Sequence, residues 1–285
     1  MTLGRVGIWS TELRMADPGE IREAAAELDE LGYGALWIPG LGGGDIIGDS
    51  ERLLKATRAT KVAVGVLSIW RHDAAEMAAG HTRLHRDHDG RLLLGLGVSD
   101  PAAAHAVGRP YRPLADMGAY LDLLEQAPDP VPADLRLMAA LGPKMVQLAG
   151  QRTAGVHPFM ITPEQSAATR DLLGAGPLLA PYQAVVLETD PDTARTAARG
   201  FLGMFLGMDH YARNMLRQGF TEDDLTGGGS DRLIDSVVAW GDTDAINKRI
   251  RAHHQAGADH VCLHVVGASS PVPRAEWREL AHLIP

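Results

Sequence analysis

The sequence predicts an α/β fold, in the form of a (β/α)8 TIM barrel with a helical insertion between strands seven and eight. Eight short apolar segments alternate with helical segments, and this alternation is typical of a parallel sheet covered by helices. The 285 residues suit one barrel of about 250 residues plus an insertion. We therefore expect residues 1–285 to form a single domain.

The predicted strands are short apolar runs, each followed by a loop or by the start of a helix. The fourth lies within residues 91–100 (RLLLGLGVSD), where the run is nearly continuous, as a strand covered on both faces requires. The others are predicted at 5–9, 35–38, 61–67, 135–141, 156–158, 178–188 and 260–266.

Capping residues mark where several helices begin. Asp17 and Asp73 each precede a glutamate by three residues, the spacing of a capping box, and Thr162 and Asp190 each precede a proline. Further helices are expected near residues 50–59 and 114–126, after residue 142, and near 274–283. Residues 201–256 are predicted to form several helices, which constitute the insertion.

Composition limits the partners and the compartment. A net charge of −9 and a pI near 5.7 argue against a nucleic acid or an acidic membrane as partner. Cys262 is the single cysteine, so no intrachain disulfide is expected, and it is interpreted as a buried small hydrophobic residue. The chain has no 18-residue apolar run, and its first residues lead directly into a strand, which predicts a cytoplasmic protein without a membrane partner.

In a barrel, function lies in the loops that follow the strands. These loops are poor in nucleophile–base pairs and in metal ligands, but rich in glycine and small polar residues. Such a lining suits a preformed cofactor that brings its own reactivity. His81, His85 and His88 have the spacing of a helical metal site, but they are interpreted as a solvated helix face, and no metal is predicted.

Three motifs together resemble the luciferase-like monooxygenase superfamily. They are GVLSIWRHD (65–73), LLLGLGVSD (92–100) and AALGPKM (139–145), and the likeness continues through GGGSDRL (227–233), VAWGD (238–242) and AGADHVC (256–262). More narrowly, the sequence resembles the actinobacterial enzymes that use coenzyme F-420, a deazaflavin, in place of FMN. The resemblance implies hydride transfer between the deazaflavin and a small organic substrate, and a homodimer formed through early helices.

The resemblance also implies which residues bind the cofactor. Gly65-Val66 matches a cis peptide in a bulge that backs the ring, and Ser68 stands where relatives often have Asn. The segment Gly97, Val98 and Ser99 lines the cofactor. The phosphate is assigned to the backbone of Ala140, Leu141 and Gly142 at a helix N-terminus, which favours an anion on physical grounds as well, with Lys144 as the nearest cation.

Substrate and proton transfer have fewer candidates. Asp100 stands where relatives hold a catalytic carboxylate, although it could also cap the turn before Pro101. His157 is a second proton partner or a hydrogen-bonded structural residue. Trp9, Glu12 and Trp70 are candidates for substrate binding, while both tryptophans could equally belong to the core at the top of the barrel.

The sequence also departs from the family. Relatives that act on sugar phosphates carry Asp-His after strand two, where this chain has Gly40 and Leu41, and the loop that follows is shortened. The histidine that assists hydride transfer in those relatives is therefore absent. Two alternatives to an F-420-dependent oxidoreductase follow: an FMN-dependent luciferase-like monooxygenase, and a non-catalytic cofactor-binding relative. A metal-dependent barrel hydrolase is disfavoured, because the strand ends lack a convincing ligand set.

Overall fold

A computed structural model describes residues 2–40, 43–98 and 101–284. In these ranges the strands are β1 Val6–Trp9, β2 Ala35–Ile38, β3 Lys61–Val64, β4 Leu67–Ser68, β5 Leu92–Gly97, β6 Arg136–Met138, β7 Gly155–Val156, β8 Leu178–Leu179, β9 Tyr182–Val186, β10 Val238–Trp240 and β11 Val261–Val265. The α-helices are α1 Glu12–Met15, α2 Pro18–Glu30, α3 Ile46–Ala56, α4 Ala74–Asp87, α5 Pro101–Ala106, α6 Pro113–Gln126, α7 Pro143–Arg152, α8 Pro163–Leu173, α9 Pro191–Leu206, α10 Asp209–Arg217, α11 Asp231–Val237, α12 Thr243–Gln255 and α13 Arg274–Leu280. Short 3-10 helices span Ala133–Leu135, Asp223–Gly228 and Ala281–Leu283.

The strands form one curled, all-parallel sheet. Its order is β10-β9-β11-β1-β2-β3-β5-β6-β7-β8, with β4 also on β5. The chain segment 178–186 joins the two sides of this sheet, because β8 pairs with β7 while β9 pairs with β11. The predicted α/β class is confirmed, and the curled parallel sheet is consistent with a TIM barrel of the predicted type.

Two of the predicted strands are each divided in the structure. The segment 61–67 breaks at Gly65-Val66 into β3 and β4, and the segment 178–188 breaks at Ala180-Pro181 into β8 and β9. Proline has no amide hydrogen to donate to a neighbouring strand, which accounts for the second break.

The predicted helical insertion is not confirmed as purely helical. Between β9 and β11 the chain forms helices α9 to α12, but it also forms the strand β10, which pairs with β9 through Val238 and Ala184. The segment contains the pair Val237-Val238, and β-branched residues favour a strand over a helix. The strand therefore extends the sheet beside β9.

Alternate residues of the strands pack in two layers. In β2, Leu36 and Ile38 belong to the cluster that includes the surrounding helices, whereas Ala35 and Trp37 belong to the interior cluster. The interior cluster continues into α9, α10 and α11 through residues such as Leu202 and Met215. The insertion therefore shares its core with the inside of the curled sheet.

Cys262 and His81 are both buried, which was expected for the first and not for the second. Cys262 is buried and free, as expected. His81 was expected on a solvated face, and this is wrong, because its ring is fully buried with Nε2 3.3 Å from the carbonyl oxygen of Leu92. His85 is exposed. Within the described ranges, no helix is long and apolar enough to cross a bilayer.

Close backbone packing makes Gly95 the most demanding position in β5. A Cβ atom there would lie 1.8 Å from the carbonyl oxygen of Val64. We expect Gly95→Ala to lower the free energy of unfolding by about 3 kcal/mol, because the neighbouring strand must shift. Urea unfolding followed by tryptophan fluorescence measures this change.

Gly118 in α6 is the matched control. A Cβ atom there meets no other atom within 4 Å. Gly118→Ala should raise the free energy of unfolding by about 0.5–1 kcal/mol, because alanine is the better helix former. Equal losses of stability in both variants would contradict the packing argument.

Candidate functional site

The candidate site is built around a bulge between β3 and β4, at the carboxyl edge of the sheet. The peptide bond between Gly65 and Val66 is cis, as the family resemblance implied. A Cβ atom on Gly40 would lie 2.6 Å from the carbonyl oxygen of Val66, and one on Gly97 would lie 2.6 Å from Cγ2 of Val66. Because these neighbours are glycines, the bulge is backed closely by backbone.

Two tryptophans anchor the backbone on the two sides of the bulge. Nε1 of Trp9 donates to the carbonyl oxygen of Gly65 at 2.9 Å, and Nε1 of Trp70 donates to the carbonyl oxygen of Val98 at 2.5 Å. Each tryptophan is 9% exposed. Both side chains therefore hold the site in place and contribute a small part of its surface.

Ser68 and Gly97 lie side by side in the pairing of β4 with β5. The Ser68 side chain is nearly buried, and its Oγ accepts a long hydrogen bond of 3.4 Å from the amide of Trp70. The predicted cofactor residues of the third and fourth strands are thus brought together in the described part of the chain. Ser99 and Asp100 lie outside the described residues.

His157 lies behind the bulge, inside the curled sheet. Its Nδ1 donates to the carbonyl oxygen of Ala180 at 2.7 Å, and its ring stacks on Trp37 with a centroid distance of 4.4 Å. Its Nε2 is buried without a hydrogen-bond partner among the described residues, and a Cβ atom on Gly65 would lie 3.1 Å from it. Burial lowers the pKa of His157 to about 4, so the ring is neutral near pH 7 and Nε2 carries a free lone pair.

The predicted phosphate-binding residues lie one strand further along the sheet. Ala140, Leu141 and Gly142 connect β6 with α7, and α7 begins without a side-chain cap. A Cβ atom on Gly142 would meet no other atom within 4 Å, so the approach to the helix N-terminus is open. Lys144 is exposed in the first turn. Backbone amides at this end are available for an anion.

Glu12 lies in the first turn of α1, directly after β1. Its carboxylate accepts a hydrogen bond of 2.6 Å from the Ser10 hydroxyl, and the same hydroxyl accepts from the amides of Glu12 and Leu13. This arrangement fixes the start of α1 at the carboxyl edge of the sheet. Glu12 therefore lies on the same edge as Trp9.

Arg14 was not anticipated from the sequence. Its buried guanidinium donates to the carbonyl oxygens of Pro39, Gly40 and Gly43 at 2.6–2.8 Å, and to the carboxylate of Asp49 at 2.7 Å. The side chain thereby holds the loop after β2 on both sides of residues 41–42. A lone arginine in a short helix gave no pattern from which this role could be read.

His264 was also missed. It lies near the carboxyl end of β11, and its Nδ1 forms a very short hydrogen bond with the Tyr182 hydroxyl of β9. Its ring is 4.6 Å from that of Trp9. The sequence did hold a usable sign, because His264 is two residues beyond Cys262 and so shares the inward face of the same strand.

Buried histidines occur in several parts of the fold. Burial lowers the pKa of His81, His157 and His260 to about 4, and that of His253 and His264 to about 3. Among residues 2–40, 43–98 and 101–284, no group of three or more histidine, cysteine or carboxylate side chains is placed to hold a metal ion. The histidines therefore act as neutral hydrogen-bonding groups.

These pKa values predict how stability depends on pH. A histidine whose pKa is lower in the folded state binds its proton more readily when unfolded, so its stabilising contribution is complete above pH 6.5 and is lost as pH falls toward about 4. His157→Gln should reduce the pH dependence of the free energy of unfolding by about 1.4 kcal/mol per pH unit in this window. Urea titrations across the window measure the slope. The exposed His85→Gln is the control, and equal slopes for His157→Gln and the wild type would refute the assignment.

The Arg14 contacts predict a further change in stability. Arg14→Lys should cost about 2–3 kcal/mol and increase proteolytic cleavage in the loop after β2, because lysine cannot reach three carbonyl oxygens and a carboxylate at once. Thermal unfolding and limited proteolysis measure both effects. Arg52→Lys alters an ion pair of 3.3 Å to the same Asp49 and should cost less than about 0.5 kcal/mol. A similar result for the two variants would show that the loop does not depend on Arg14.

Several solved structures share this fold. An F-420-dependent secondary alcohol dehydrogenase, in complex with an F-420–acetone adduct, superposes with a TM-score of 0.75 at 16% identity, covering 100% of this chain and 99% of that chain. The F-420-dependent tetrahydromethanopterin reductase of Methanopyrus kandleri gives 0.75 at 15% identity, with coverage of 100% and 99%. The oxygenating constituent of a 3,6-diketocamphane monooxygenase from Pseudomonas putida, in complex with FMN, gives 0.69 at 13% identity, with coverage of 100% and 97%.

At these identities the structural likeness shows the fold alone. No curated protein matches the sequence at a significant level. The profile of the family described as luciferase-like monooxygenase matches residues 1–260, which is most of the chain. The chain therefore belongs to the luciferase-like monooxygenase family.

Proposed function

We propose that this chain is an oxidoreductase that uses coenzyme F-420 to exchange a hydride with a small organic substrate. The main support is the packing around Val66, where Gly40 and Gly97 bring backbone against the bulge in place of side chains. A bulge backed by backbone in this way, with Trp9 and Trp70 bonded on its two sides, would support a planar ring system. When bound, the deazaflavin would supply hydride transfer at its C5 atom.

The connection between β6 and α7 suits the cofactor's phosphate. Gly142 leaves the first turn of α7 open, and the helix start carries free amides and a partial positive charge. In a chain with a net charge of −9, Lys144 adds the cation that an anionic cofactor requires at that point. Ala140 and Leu141 would contribute backbone groups.

The proton partners have different positions. His157 is enclosed behind Gly65, so its free Nε2 faces the inner side of the bulge. There it would hold the bulge or the cofactor edge in place. Asp100, which the family resemblance assigns to proton transfer, would act on the substrate side. Trp9, Glu12 and Trp70 would line the space for the substrate. The family resemblance also implies that two copies of the chain form a homodimer.

Fluorescence titration with F-420 and with FMN tests the proposal. We expect F-420 to bind the wild type, and Lys144→Ala to weaken binding by about threefold to tenfold, because one charged phosphate contact is lost. Lys248→Ala, on the exposed face of α12, is the matched control and should leave the affinity unchanged. Binding of FMN alone would favour the flavin-dependent monooxygenase, and a folded sample that binds neither would end the enzyme proposal.

A further inference from the structure

The pair formed by Tyr182 and His264 has a defined proton arrangement. Burial raises the pKa of the Tyr182 hydroxyl well above its usual value, so the hydroxyl keeps its proton. Within the described chain His264 is its one hydrogen-bond partner, so donation to Nδ1 is the arrangement that gives the buried hydroxyl hydrogen an acceptor. Because the imidazole is neutral, its own proton then resides on Nε2. His264 thus offers a single N–H donor.

That donor has no partner in the described part of the chain. Nε2 of His264 makes no hydrogen bond there, and the residue keeps 9% of its surface exposed, in contrast to His157, whose Nε2 is enclosed. Trp9 links the two histidines to one site, since its Nε1 donates to Gly65 while its ring lies 4.6 Å from that of His264. The free donor is therefore near the bulge, on the side of β11.

Phe201 adjoins the ring of His264, and it belongs to a group of four half-buried rings that we name the aromatic wall: Phe159, Phe201, Phe205 and Tyr211. Phe201 meets His264 edge-on with a centroid distance of 5.1 Å, and Phe159 lies 4.3 Å from Tyr182. The rings of the wall contact each other at centroid distances of 5.0–5.4 Å. They form a continuous apolar surface from α9, α10 and the loop after β7.

The charges near this surface exclude some ligands. Burial is the cause of the lowered pKa of His264. The Tyr182 pKa is raised mainly by burial, with smaller contributions from Cys262, Tyr211 and Glu12. The one formal charge in that set is negative. An anionic substrate would therefore be repelled by the Glu12 carboxylate.

We propose that His264 donates a hydrogen bond from Nε2 to the oxygen of an uncharged carbonyl or alcohol substrate, while the aromatic wall covers the apolar part of that substrate. This inference rests on the proposed function for the identity of the site, and it names the substrate class. Tyr182 acts as a positioning residue, because it sets which imidazole nitrogen carries the proton.

The test compares three ligands that share one ring: cyclohexanone, cyclohexanecarboxylate and cyclohexylammonium. Saturation-transfer NMR measures their dissociation constants, with and without F-420. We expect cyclohexanone to bind most tightly. The carboxylate should bind about tenfold or more weakly, because it loses hydration against the aromatic wall and Glu12 repels it, whereas the ammonium ion should lose less because Glu12 attracts it. Tighter binding of either ion than of the ketone would overturn the substrate class.

Variants test the role of His264. His264→Phe keeps the ring but removes the donor, and it should weaken cyclohexanone binding by about tenfold. His264→Gln retains an N–H donor and should recover part of the loss, which also covers the case in which the first variant unfolds. His85→Phe, on the outer face of α4, is the matched control. In the wild type, a cross-peak from the Nε2 proton of His264 should shift when cyclohexanone is added.

The two proposals fail separately. Cyclohexanone affinity that is the same in the wild type and in both His264 variants would overturn this inference, whatever the F-420 titration shows. If the wild type does not bind F-420, the proposed function is overturned instead. Binding of cyclohexanone to His264 can still be measured directly in that case.

Discussion

The contact on which the site depends is the close approach of backbone to backbone at the bulge. Val66 can occupy its position because Gly40, Gly95 and Gly97 present no side chains to it or to its neighbours. Trp9 and Trp70 then fix the carbonyl groups on either side. Glycine loses more conformational freedom on folding than any other residue, so this arrangement carries an entropic cost that the surrounding packing must offset.

Much of the framework could be read from the sequence, for local reasons. Asp17, Asp73, Thr162 and Asp190 were expected to cap helices, and each accepts a hydrogen bond from a backbone amide in the first turn. Helix caps are short-range features, so spacing alone reveals them. The strands were found for a similar reason, since their apolar runs are continuous.

Features that depend on distant contacts were not predictable in this way. Strand β10 forms because β9 offers an unpaired edge, and nothing within residues 238–240 fixes that partner. Arg14 acts through carbonyl oxygens that lie 25 to 29 residues along the chain. The hydrogen bond of His264 joins it to Tyr182, which is 82 residues away. The sequence therefore predicts the candidate site only in part, because the sheet brings together side chains that are far apart along the chain.

The hydrogen bonds of Arg14 fix one part of the carboxyl edge of the curled sheet, and another part, formed by α9 and α10, is freer to vary. The loop after β2 is held through three carbonyl groups, whereas α9 and α10 present half-buried rings and belong to a segment whose strand β10 pairs with β9. Substitutions in α9 and α10 would change the aromatic surface without disturbing the glycines under the bulge. Under the proposed function, divergence toward new substrates would accumulate in α9 and α10, while the residues proposed to hold the cofactor stay constant.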